Sequence, residues 1–316
     1  MRILIVKTSS MGDIVHALPM VSDIARARPD AVIDWVCEEG FTALPRMSSH
    51  VRDVRRVALR RWRKHLLRSA IWREIDVARG DLRAAHYDLV IDCQGLLKSA
   101  VVARWAGAPV AGFGPGSARE RAASWFYQHR FAIPYELPAL QRCRELAAQA
   151  LGYELTGPPR FDLVAGAAPA VTVEGSYAVL LANASRPTKL WPEERWVELG
   201  RWLATQGMKS LLFWGAPEEG ERARRIAAQI EEAVVAPRSG LDAIATSLSG
   251  AALVVGLDTG LTHLAAALGR PCVGLFCDYP IELVGLVGDG PVASLGGVKV
   301  QPPIAEVIAA CQQVLA

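Results

Sequence analysis

The sequence predicts an α/β protein of two domains, each a parallel sheet covered by helices. Short apolar runs alternate with longer amphipathic stretches within residues 1–160, and the alternation restarts within 161–316. The apolar runs are continuous, which is typical of parallel strands covered on both faces. A stretch rich in glycine, proline and alanine, 152–175, separates the two series and is the candidate linker. We therefore expect two Rossmann-like domains with parallel sheets facing a central cleft, and ligands at the carboxyl ends of the strands.

In the first half the pattern predicts three strands separated by two helices. The strands are the apolar runs, and the helices have apolar residues at three- and four-residue spacing. In chain order these elements are Ile3–Val6, Ile14–Arg28, Ala31–Val36, Trp62–Ala85 and Asp88–Asp92.

In the second half strands and helices alternate four times, beginning with a strand. Proline at the start of the first helix is tolerated there, because the first turn needs no intrahelical N–H donor. In chain order the elements are Tyr177–Ala182, Pro192–Gln206, Lys209–Trp214, Glu218–Glu231, Leu253–Gly256, Gly260–Leu268, Val273–Phe276 and Ile304–Leu315.

The composition argues against several classes of protein. Of 316 residues, 51% are apolar and 21% charged, which is enough for a hydrophobic core and unlike a disordered chain. The six cysteines form no CxxC pair, so we expect neither a zinc site nor a disulfide framework, but reduced thiols in a cytosol.

No apolar run approaches the ~18 residues that span a bilayer. Lys7 interrupts the N-terminal run too early for a signal peptide. The chain also lacks GxGxxG and GxxxxGK[ST], which disfavours a standard dehydrogenase or P-loop kinase.

Positive charge is concentrated in one half. Residues 1–160 contain 24 basic and 16 acidic side chains, whereas residues 161–316 contain 11 basic and 16 acidic side chains. Residues 52–79 alone contain ten basic and three acidic side chains. Such a field suits nucleic acid, an anionic membrane or an acidic small substrate; an arginine excess from base composition is the alternative. No recognised nucleic-acid-binding motif is present. The basic segment includes Arg60, Arg61, Arg63 and Lys64, and Arg119 and Arg121 would extend it.

Asp13 follows the first strand, where the next helix begins. It either caps that helix or acts as a general base. A helix N-terminus favours the charged carboxylate and lowers its pKa. Asp13 would therefore stay ionised and accept a proton late, from a hydroxyl that becomes acidic as it attacks.

Two loops of the second half are predicted to bind a diphosphate. After strand 177–182, Ser185 and Lys189 bring a hydroxyl and a cation to a helix N-terminus; an ordinary surface loop is the alternative. After strand 253–256, Thr259 and Gly260 bring backbone N–H groups to the next helix, and Asp258 could accept hydrogen bonds from sugar hydroxyls. An aspartic protease needs two carboxylates that share a proton, usually from two Asp-Thr-Gly triplets or from two subunits, whereas this chain has one triplet, between a strand and a helix.

Glu219 begins the helix that follows strand 209–214. It either binds ribose hydroxyls, as acidic residues do in nucleotide-binding folds, or caps its own helix.

Four segments together resemble the lipopolysaccharide heptosyltransferases, a family of ADP-heptose glycosyltransferases with the GT-B fold. The resemblance covers nearly the whole chain and is specific in its combination and order. The segments are Lys7–Asp13 with His16, Asp92–Ser99, Lys189–Pro192 and Asp258–His263.

The resemblance implies an inverting transfer of L-glycero-D-manno-heptose from ADP-heptose to the first Kdo of Kdo2-lipid A. It implies that residues 161–316 bind the donor without a metal or other cofactor. Lys189 and Ser185 would stabilise the leaving phosphate, with backbone donors at Thr259 and Gly260. Further implied donor contacts are Glu219 to ribose, Asp258 and His263 to sugar or phosphates, and Ser239 through its backbone. The family's Thr-Thr pair appears here as Ala184-Ser185, so one hydroxyl is missing.

The same resemblance implies that residues 1–160 bind the acceptor and that Asp13 is the general base. Phosphates and Kdo carboxylates would be bound by the cations of the basic half: Arg60, Arg61, Arg63, Lys64 and Arg119 or Arg121. The family works at the cytoplasmic face of the inner membrane, so peripheral contact with an anionic membrane is expected, and nucleic acid is not.

Two alternatives stay open at this point. One is another sugar-nucleotide enzyme of the same fold, namely the heptosyltransferase that adds the second heptose, or an epimerase that needs no acceptor. The other is a non-enzymatic protein that binds anionic membranes or nucleic acid through the basic segment, with steep salt dependence.

Overall fold

The structure, a computed structural model, describes residues 1–166 and 168–316. The chain divides into two compact units, Met1–Arg160 and Phe161–Ala316. This boundary lies within the predicted linker, 152–175, of which Ala167 is outside the described residues. Each unit contains a six-stranded sheet whose neighbouring strands are all parallel. The predicted α/β fold with two parallel sheets is confirmed.

The first unit begins with the strand, helix and strand order that the sequence predicts, and its longest helix, Ser69–Ala84, has 16 residues. Its strands are β1 (Arg2–Val6), β2 (Val32–Glu38), β3 (Val51–Val57), β4 (Leu89–Asp92), β5 (Val110–Phe113) and β6 (His129–Phe131). Its helices are α1 (Met11–Ala17), α2 (Pro19–Ala27), α3 (Ala43–Arg46), α4 (Leu59–Trp62), α5 (Ser69–Ala84), α6 (Leu97–Trp105) and α7 (Ala139–Leu151).

The second unit follows the predicted alternation closely. Its strands are β7 (Tyr177–Leu181), β8 (Lys209–Leu212), β9 (Val234–Val235), β10 (Leu253–Leu257), β11 (Cys272–Phe276) and β12 (Val292–Gly296). Its helices are α8 (Glu193–Thr205), α9 (Pro217–Ala227), α10 (Leu241–Ser249), α11 (Gly260–Ala267), α12 (Ile281–Val284) and α13 (Ile304–Leu315).

The two sheets have equivalent strand orders. The first is β3-β2-β1-β4-β5-β6, and the second is β12-β11-β10-β7-β8-β9. In each sheet the strand order reverses at one position, the switch point, beside the first strand of the unit. The first switch point lies between β1 and β4, and the second lies between β7 and β10. Loops that leave the carboxyl ends of these strand pairs flank the usual ligand site of an open parallel sheet. These four loops carry all four segments of the resemblance to a known family.

The strands at the switch points are buried on both faces, as their continuous apolar runs predict. Ile3 to Val6 of β1 are fully buried, and so are Val254 and Val255 of β10. In the second unit two buried tryptophans pack edge to face, with ring centroids of Trp191 and Trp196 5.1 Å apart. The Trp191 indole N–H donates to the carbonyl of Pro302 at 2.9 Å, so its polar group is satisfied inside the core.

The predicted helix over 14–28 is two helices that meet at Leu18. The backbone N–H of Leu18 donates to Val15 O, and α2 starts at Pro19. Proline has no N–H to donate, and its ring clashes with the carbonyl four residues earlier, so one regular helix cannot run through this position.

The predicted helix over 62–85 begins later, at Ser69, and is preceded by the short α4 and a turn. A continuous helix would stack like charges at three- and four-residue spacing, as between Arg60 and Lys64 and between Lys64 and Arg68, which is unfavourable. The strands β5, β6, β9 and β12 were missing from the prediction, and so was the strand β3. Its buried residues, Val51, Val54 and Val57, recur every third residue, beside an irregular register with β2, and so lack the alternation of a half-buried strand.

Among residues 1–166 and 168–316, no helix is both long and apolar enough to cross a bilayer. The described residues also contain no group of three or more His, Cys, Asp and Glu side chains that could hold a metal ion.

Candidate active site

In the second unit, the loops after β7 and β10 meet through an ion pair. Lys189 follows β7, and its Nζ lies 2.5 Å from Oδ2 of Asp258, the residue that follows β10. The same Nζ donates to the Asp258 carbonyl at 3.3 Å. Both side chains are 13% exposed, so the pair is largely withdrawn from water yet open to a ligand. Both residues are predicted for this site from the sequence, but their contact with each other is not.

Asp258 also contacts the helix that follows it. Nε2 of His263 lies 3.5 Å from Asp258 Oδ1. Burial alone would raise the pKa of Asp258, but the hydrogen bonds from His263 and Lys189, together with the lysine charge, hold that pKa below its usual value. Asp258 is therefore an anion whose two oxygens are both directed at side chains of the site, and it orients Lys189.

An aromatic ring completes the surroundings of Lys189. The ammonium nitrogen lies 4.9 Å from the ring centroid of Tyr279. Arg186 donates to the Tyr279 hydroxyl at 3.3 Å, with its guanidinium 5.7 Å from the same ring. In the same loops, Thr188 donates to Asp278 Oδ2 at 2.8 Å. Two cations thus flank one tyrosine beside the switch point, and cation–π attraction favours this arrangement.

The N-terminus of α11 adds backbone donors to this region. The helix starts at Gly260, with Thr259 in extended conformation before it. The first N–H groups of a helix have no intrahelical acceptor and carry partial positive charge, which favours a phosphate oxygen. Together with Lys189, these groups can bind an anion that carries more than one negative charge.

The remaining predicted donor-binding residues follow strands of the same sheet, either on loops or, for Glu219, in the first turn of the next helix. Ser185 is exposed after β7, whereas Ala184 packs against the core of the unit. Ser239 follows β9, and its hydroxyl donates to Pro237 O at 2.9 Å. Glu219 caps its own helix, because its Oε2 accepts from the N–H groups of Gly215 and Ala216 at 2.8 and 3.0 Å.

In the first unit, Asp13 is in the third position of α1 and is bound to the residue that precedes the helix. Its Oδ2 accepts from the Ser10 backbone N–H at 2.8 Å and from the Ser10 hydroxyl at 2.6 Å. The capping interpretation of Asp13 is therefore correct, but both bonds fall on one carboxylate oxygen. A capping role does not exclude a role as a base.

The charge of Lys7 acts on Asp13 from inside the unit. Lys7 is buried, and its Nζ donates to Cys93 O at 2.9 Å. Burial would raise the pKa of Asp13, but Lys7, the two Ser10 hydrogen bonds and His16 lower it below its usual value. Asp13 is thus held as a carboxylate, as the helix N-terminus led us to expect.

A buried glutamine holds the loop in front of Asp13. Oε1 of Gln94 accepts from the backbone N–H and the hydroxyl of Thr8, each at 2.7 Å, and its Nε2 donates to Ser9 O at 2.9 Å. Gln94 follows β4, so these bonds join the two loops of the first switch point. The loop that presents Ser10 and Asp13 is therefore fixed at two adjacent residues.

Gln94 is itself fixed by the fully buried Asp92. One oxygen of Asp92 accepts from the Gln94 N–H at 3.0 Å, and the other accepts from Tyr127 at 2.8 Å and Ser99 at 2.9 Å. A side chain at Gly112 would collide with the Tyr127 ring, so glycine there makes room for the tyrosine that reaches Asp92. Burial raises the pKa of Asp92 despite these hydrogen bonds.

The six predicted acceptor-binding cations differ in the contacts that they make with other side chains of the protein. Arg61 is bound by two carboxylates, with its Nε 3.1 Å from Glu39 and a terminal nitrogen 2.9 Å from Glu74. The guanidinium of Arg60 lies 5.5 Å from the Phe41 ring centroid. All six side chains are exposed: Arg60, Arg61, Arg63, Lys64, Arg119 and Arg121.

A cavity of about 920 Å³ lies between β3 and α5. Of the six cations, Arg61 alone lines it, and the cavity wall carries charges of both signs: Arg46, Arg55, Arg56, Arg61 and Arg73 against Glu39, Asp53, Glu74 and Asp81. Mixed charge makes this cavity a poor match to a purely anionic ligand.

Three residues that contribute to these sites were not predicted from the sequence: Lys7, Gln94 and Tyr279. Lys7 and Gln94 belong to segments that carried the family resemblance, but a buried position for either could not be read from its type. Tyr279 follows β11, and its ring contact with Lys189 spans ninety positions of the chain. A polar residue directly after a buried strand is the signal that such contacts share, and it marks many ordinary loops as well.

The chain resembles known glycosyltransferases over most of its length. Residues 77–298 match the profile of Glycosyltransferase family 9 (heptosyltransferase). Lipopolysaccharide heptosyltransferase 1 of Pseudomonas aeruginosa is 46% identical over 286 residues, which cover 87% of this chain and 78% of that protein. In contrast, lipooligosaccharide heptosyltransferase 2 of Haemophilus influenzae is 34% identical over 28% of this chain.

Solved structures agree with the sequence relatives. The E. coli heptosyltransferase WaaC with ADP superposes with a TM-score of 0.90 and 40% identity, covering 99% of both chains. The same E. coli enzyme with ADP-2-deoxy-2-fluoro heptose gives a TM-score of 0.86 and 39% identity over 99% of both chains. With its two parallel sheets of equivalent strand order, this chain has the GT-B fold of those enzymes. It belongs to glycosyltransferase family 9, the heptosyltransferases, and within that family to the lipopolysaccharide heptosyltransferase 1 group.

Proposed function

We propose that this heptosyltransferase moves L-glycero-D-manno-heptose from ADP-heptose to the first Kdo of Kdo2-lipid A, with inversion at the anomeric carbon. The observation that carries the proposal is the Lys189–Asp258 pair at the second switch point, in a chain related to heptosyltransferase 1 over most of its length. Such a lysine, beside a helix N-terminus, suits a leaving diphosphate.

On the donor side, residues 161–316 bind ADP-heptose. Lys189 and the backbone N–H groups at Thr259 and Gly260 neutralise charge on the phosphates, with help from the hydroxyl of Ser185. Asp258 is a positioning residue, because its carboxylate already holds Lys189 and His263. Glu219 offers its remaining oxygen to the ribose while it caps α9, and the backbones at Ala184 and Ser239 add further contacts.

On the acceptor side, Asp13 accepts the proton. A Kdo hydroxyl oxygen attacks the anomeric carbon as the bond from that carbon to the phosphate oxygen breaks. The hydroxyl proton passes to the Asp13 carboxylate, and ADP leaves with the bonding electron pair. Because Ser10 binds Oδ2, the other oxygen of Asp13 takes the proton. A low-pKa base suits a proton that becomes acidic late in the attack.

The basic side chains of the first unit bind the phosphates and carboxylates of the acceptor. Arg60, Arg63 and Lys64 are the primary candidates, with Arg119 and Arg121 beside them. Arg61 contributes after exchanging one of its two carboxylate partners. Because that acceptor is a lipid, the enzyme works as a peripheral protein at the cytoplasmic face of the inner membrane. No metal or other cofactor takes part, since Lys189 and the backbone N–H groups at the start of α11 supply the positive charge for the leaving group.

The test is a pair of transfer reactions. Purified enzyme is incubated with ADP-heptose and either Kdo2-lipid A or an acceptor that already carries one heptose, and the products are identified by mass spectrometry. We expect one added heptose on Kdo2-lipid A alone. Product on the heptosylated acceptor alone would instead identify an enzyme for the second heptose. Conversion of ADP-heptose without any acceptor would identify an epimerase.

A further inference from the structure

The segment between α4 and the first turn of α5 exposes apolar side chains to solvent. Leu67 is 104% exposed, Trp72 53% and Leu66 45%. Large apolar side chains that lie this close together in the chain and are this exposed are uncommon on a protein that meets only water. We call the residues Arg63–Arg73 the apolar–basic segment.

The segment is anchored at its base. Trp62, buried just before it, donates through its indole N–H to Glu74 at 2.9 Å, and Arg61 contacts the same carboxylate. Within the segment the indole N–H of Trp72 donates to Leu66 O at 2.8 Å, which ties the turn to α5. The exposed leucines therefore sit on a turn that is tied at both ends.

Within the segment itself, all charged side chains are positive. Residues 54–73 contain no aspartate or glutamate. The cations within the segment are all exposed: Arg63, Lys64, Arg68 and Arg73. Exposed apolar side chains on a segment whose own charges are all positive match the boundary between acyl chains and anionic headgroups. The nearest carboxylate in the sequence, Glu74, follows the segment and is bound by Arg61 and Trp62. Tryptophan, with its apolar ring and single polar N–H, is favoured at that depth.

We propose that the apolar–basic segment is the part of this protein that enters an anionic lipid bilayer. Leu66, Leu67 and Trp72 insert at the level between headgroups and acyl chains, while the four cations contact lipid phosphates. Apolar insertion alone or cation–phosphate contact alone gives weak, reversible attachment to the membrane, and the two together give stable attachment. The inference deepens the proposed function, on which it rests for the lipid nature of the acceptor. A nucleic acid would engage the same cations but would leave the fully exposed Leu67 without a partner.

The first experiment measures sedimentation with vesicles of phosphatidylcholine and phosphatidylglycerol in equal amounts. The Leu67→Ser/Trp72→Ser double variant is compared with the wild type and with Leu283→Ser, a matched exposed leucine of the second unit. We expect about tenfold weaker binding for each apolar side chain removed, and wild-type binding for Leu283→Ser. Binding by the wild type should also weaken with salt and on pure phosphatidylcholine. Equal binding by the wild type and the double variant would overturn the proposal, as would DNA binding tighter than vesicle binding.

A second measurement reports insertion directly and does not depend on a loss of affinity. Leu67→Cys and, as its control, Leu283→Cys are each labelled with an environment-sensitive fluorophore; the six native cysteines are all buried. Emission from position 67 should shift to the blue on the anionic vesicles, and emission from position 283 should not. No shift at position 67 in a vesicle-bound protein would contradict insertion.

Transfer assays separate this inference from the proposed function. The double variant should retain wild-type transfer to Kdo2-lipid A stripped of its acyl chains, and lose transfer to the acceptor in vesicles by the same factor as vesicle binding. A wild type that transfers heptose but binds no vesicles would overturn the membrane element alone. A wild type that binds vesicles through Leu67 but transfers no heptose would overturn the proposed function alone.

Discussion

The two units have equivalent sheets but use different interactions to hold a charged group at the switch point. In the first unit the Asp13 loop is fixed by the neutral amide of Gln94. In the second unit Lys189 is fixed by an opposite charge, Asp258. The surroundings differ as well, since residues 1–160 have eight more basic than acidic side chains and 161–316 have five fewer.

The difference corresponds to two chemical tasks. A base must keep an oxygen available, and hydrogen bonds from Ser10 to a single oxygen of Asp13 allow this. A lysine that binds a diphosphate must exchange its ion-pair partner for the ligand. The Asp258 carboxylate, which is 13% exposed, is a partner that Lys189 can exchange. Under the proposed function, the same fold would therefore support a fixed proton acceptor in one unit and an exchangeable ion pair in the other.

Replacing the proposed base should have the largest effect. Asp13→Asn keeps an acceptor for Ser10 but cannot take a proton, so we expect kcat to fall about 10²–10⁴-fold, with affinity for ADP unchanged. The measurement is the rate of heptose transfer, with ADP binding followed by calorimetry. Asp88→Asn is the control, because Asp88 accepts the Arg2 N–H at the opposite edge of the sheet. Near-normal transfer by folded Asp13→Asn would remove Asp13 as the base.

Removing the donor-site cation should have the next largest effect. Lys189→Met leaves the leaving phosphate without its nearest positive side chain, and we expect a loss of about 10²–10³-fold in kcat, with weaker ADP binding. Lys209→Met is the control, since Lys209 pairs with Glu232 at the amino end of β8. If both variants bound ADP equally well, Lys189 would not contact the phosphates.

The role of Asp258 can be resolved with a double-mutant cycle. If Asp258 acts by holding Lys189, Asp258→Asn should slow transfer about tenfold in the wild type and have little further effect in Lys189→Met. Equal losses in the two backgrounds would mean instead that Asp258 contacts the substrate directly.

The buried amide of the first unit should matter for both stability and rate. Gln94→Met leaves the Thr8 N–H and Ser9 carbonyl without their partner, which should lower the free energy of unfolding by about 1–3 kcal/mol. Because the loop before Asp13 loosens, transfer should also slow about tenfold or more. Gln128→Met is the control: it removes the acceptor of the Val110 N–H and should lower stability alone. Equal transfer rates for the two variants would contradict a positioning role for Gln94.

The smallest effect should be a change in pH dependence. Since the pKa of Asp13 is lowered, its carboxylate stays ionised until the pH falls below the usual range of an aspartate, and the acid limb of kcat/KM should lie there. Ser10→Ala removes one hydrogen bond to that carboxylate, so the limb should move to higher pH. The stability from this depressed pKa is present above the unfolded-state pKa and is lost as the pH falls through the folded-state value. An acid limb that does not move would mean that Ser10 has no influence on the base.

The strands at the two switch points and the loops that follow them could be predicted from sequence because burial on both faces produces continuous apolar runs. The interior strand β5 was not predicted, although it is also buried. The edge strand β3 could not be predicted, since its exposed arginines interrupt that pattern. Likewise, β9 is too short, at two residues, to produce a periodic pattern.

The candidate residues could be predicted from sequence, but their partners could not. Asp13 and Lys189 each follow the first strand of a unit, a position that favours function. The ion pair of Lys189 with Asp258 spans sixty-nine positions, and the bonds from Gln94 to Thr8 span eighty-six, so neither leaves a local signature. For the same reason Arg61 was predicted as an acceptor-binding cation with no indication that Glu39 and Glu74 both bind it.

The division of tasks between the units is tested most directly by ADP calorimetry on Asp13→Asn and Lys189→Met side by side, with heptose transfer measured on the same samples. We predict that Asp13→Asn binds ADP as the wild type does and has lost transfer, whereas Lys189→Met has lost much of both. Weakened ADP binding in Asp13→Asn, or wild-type ADP binding in Lys189→Met, would contradict the account.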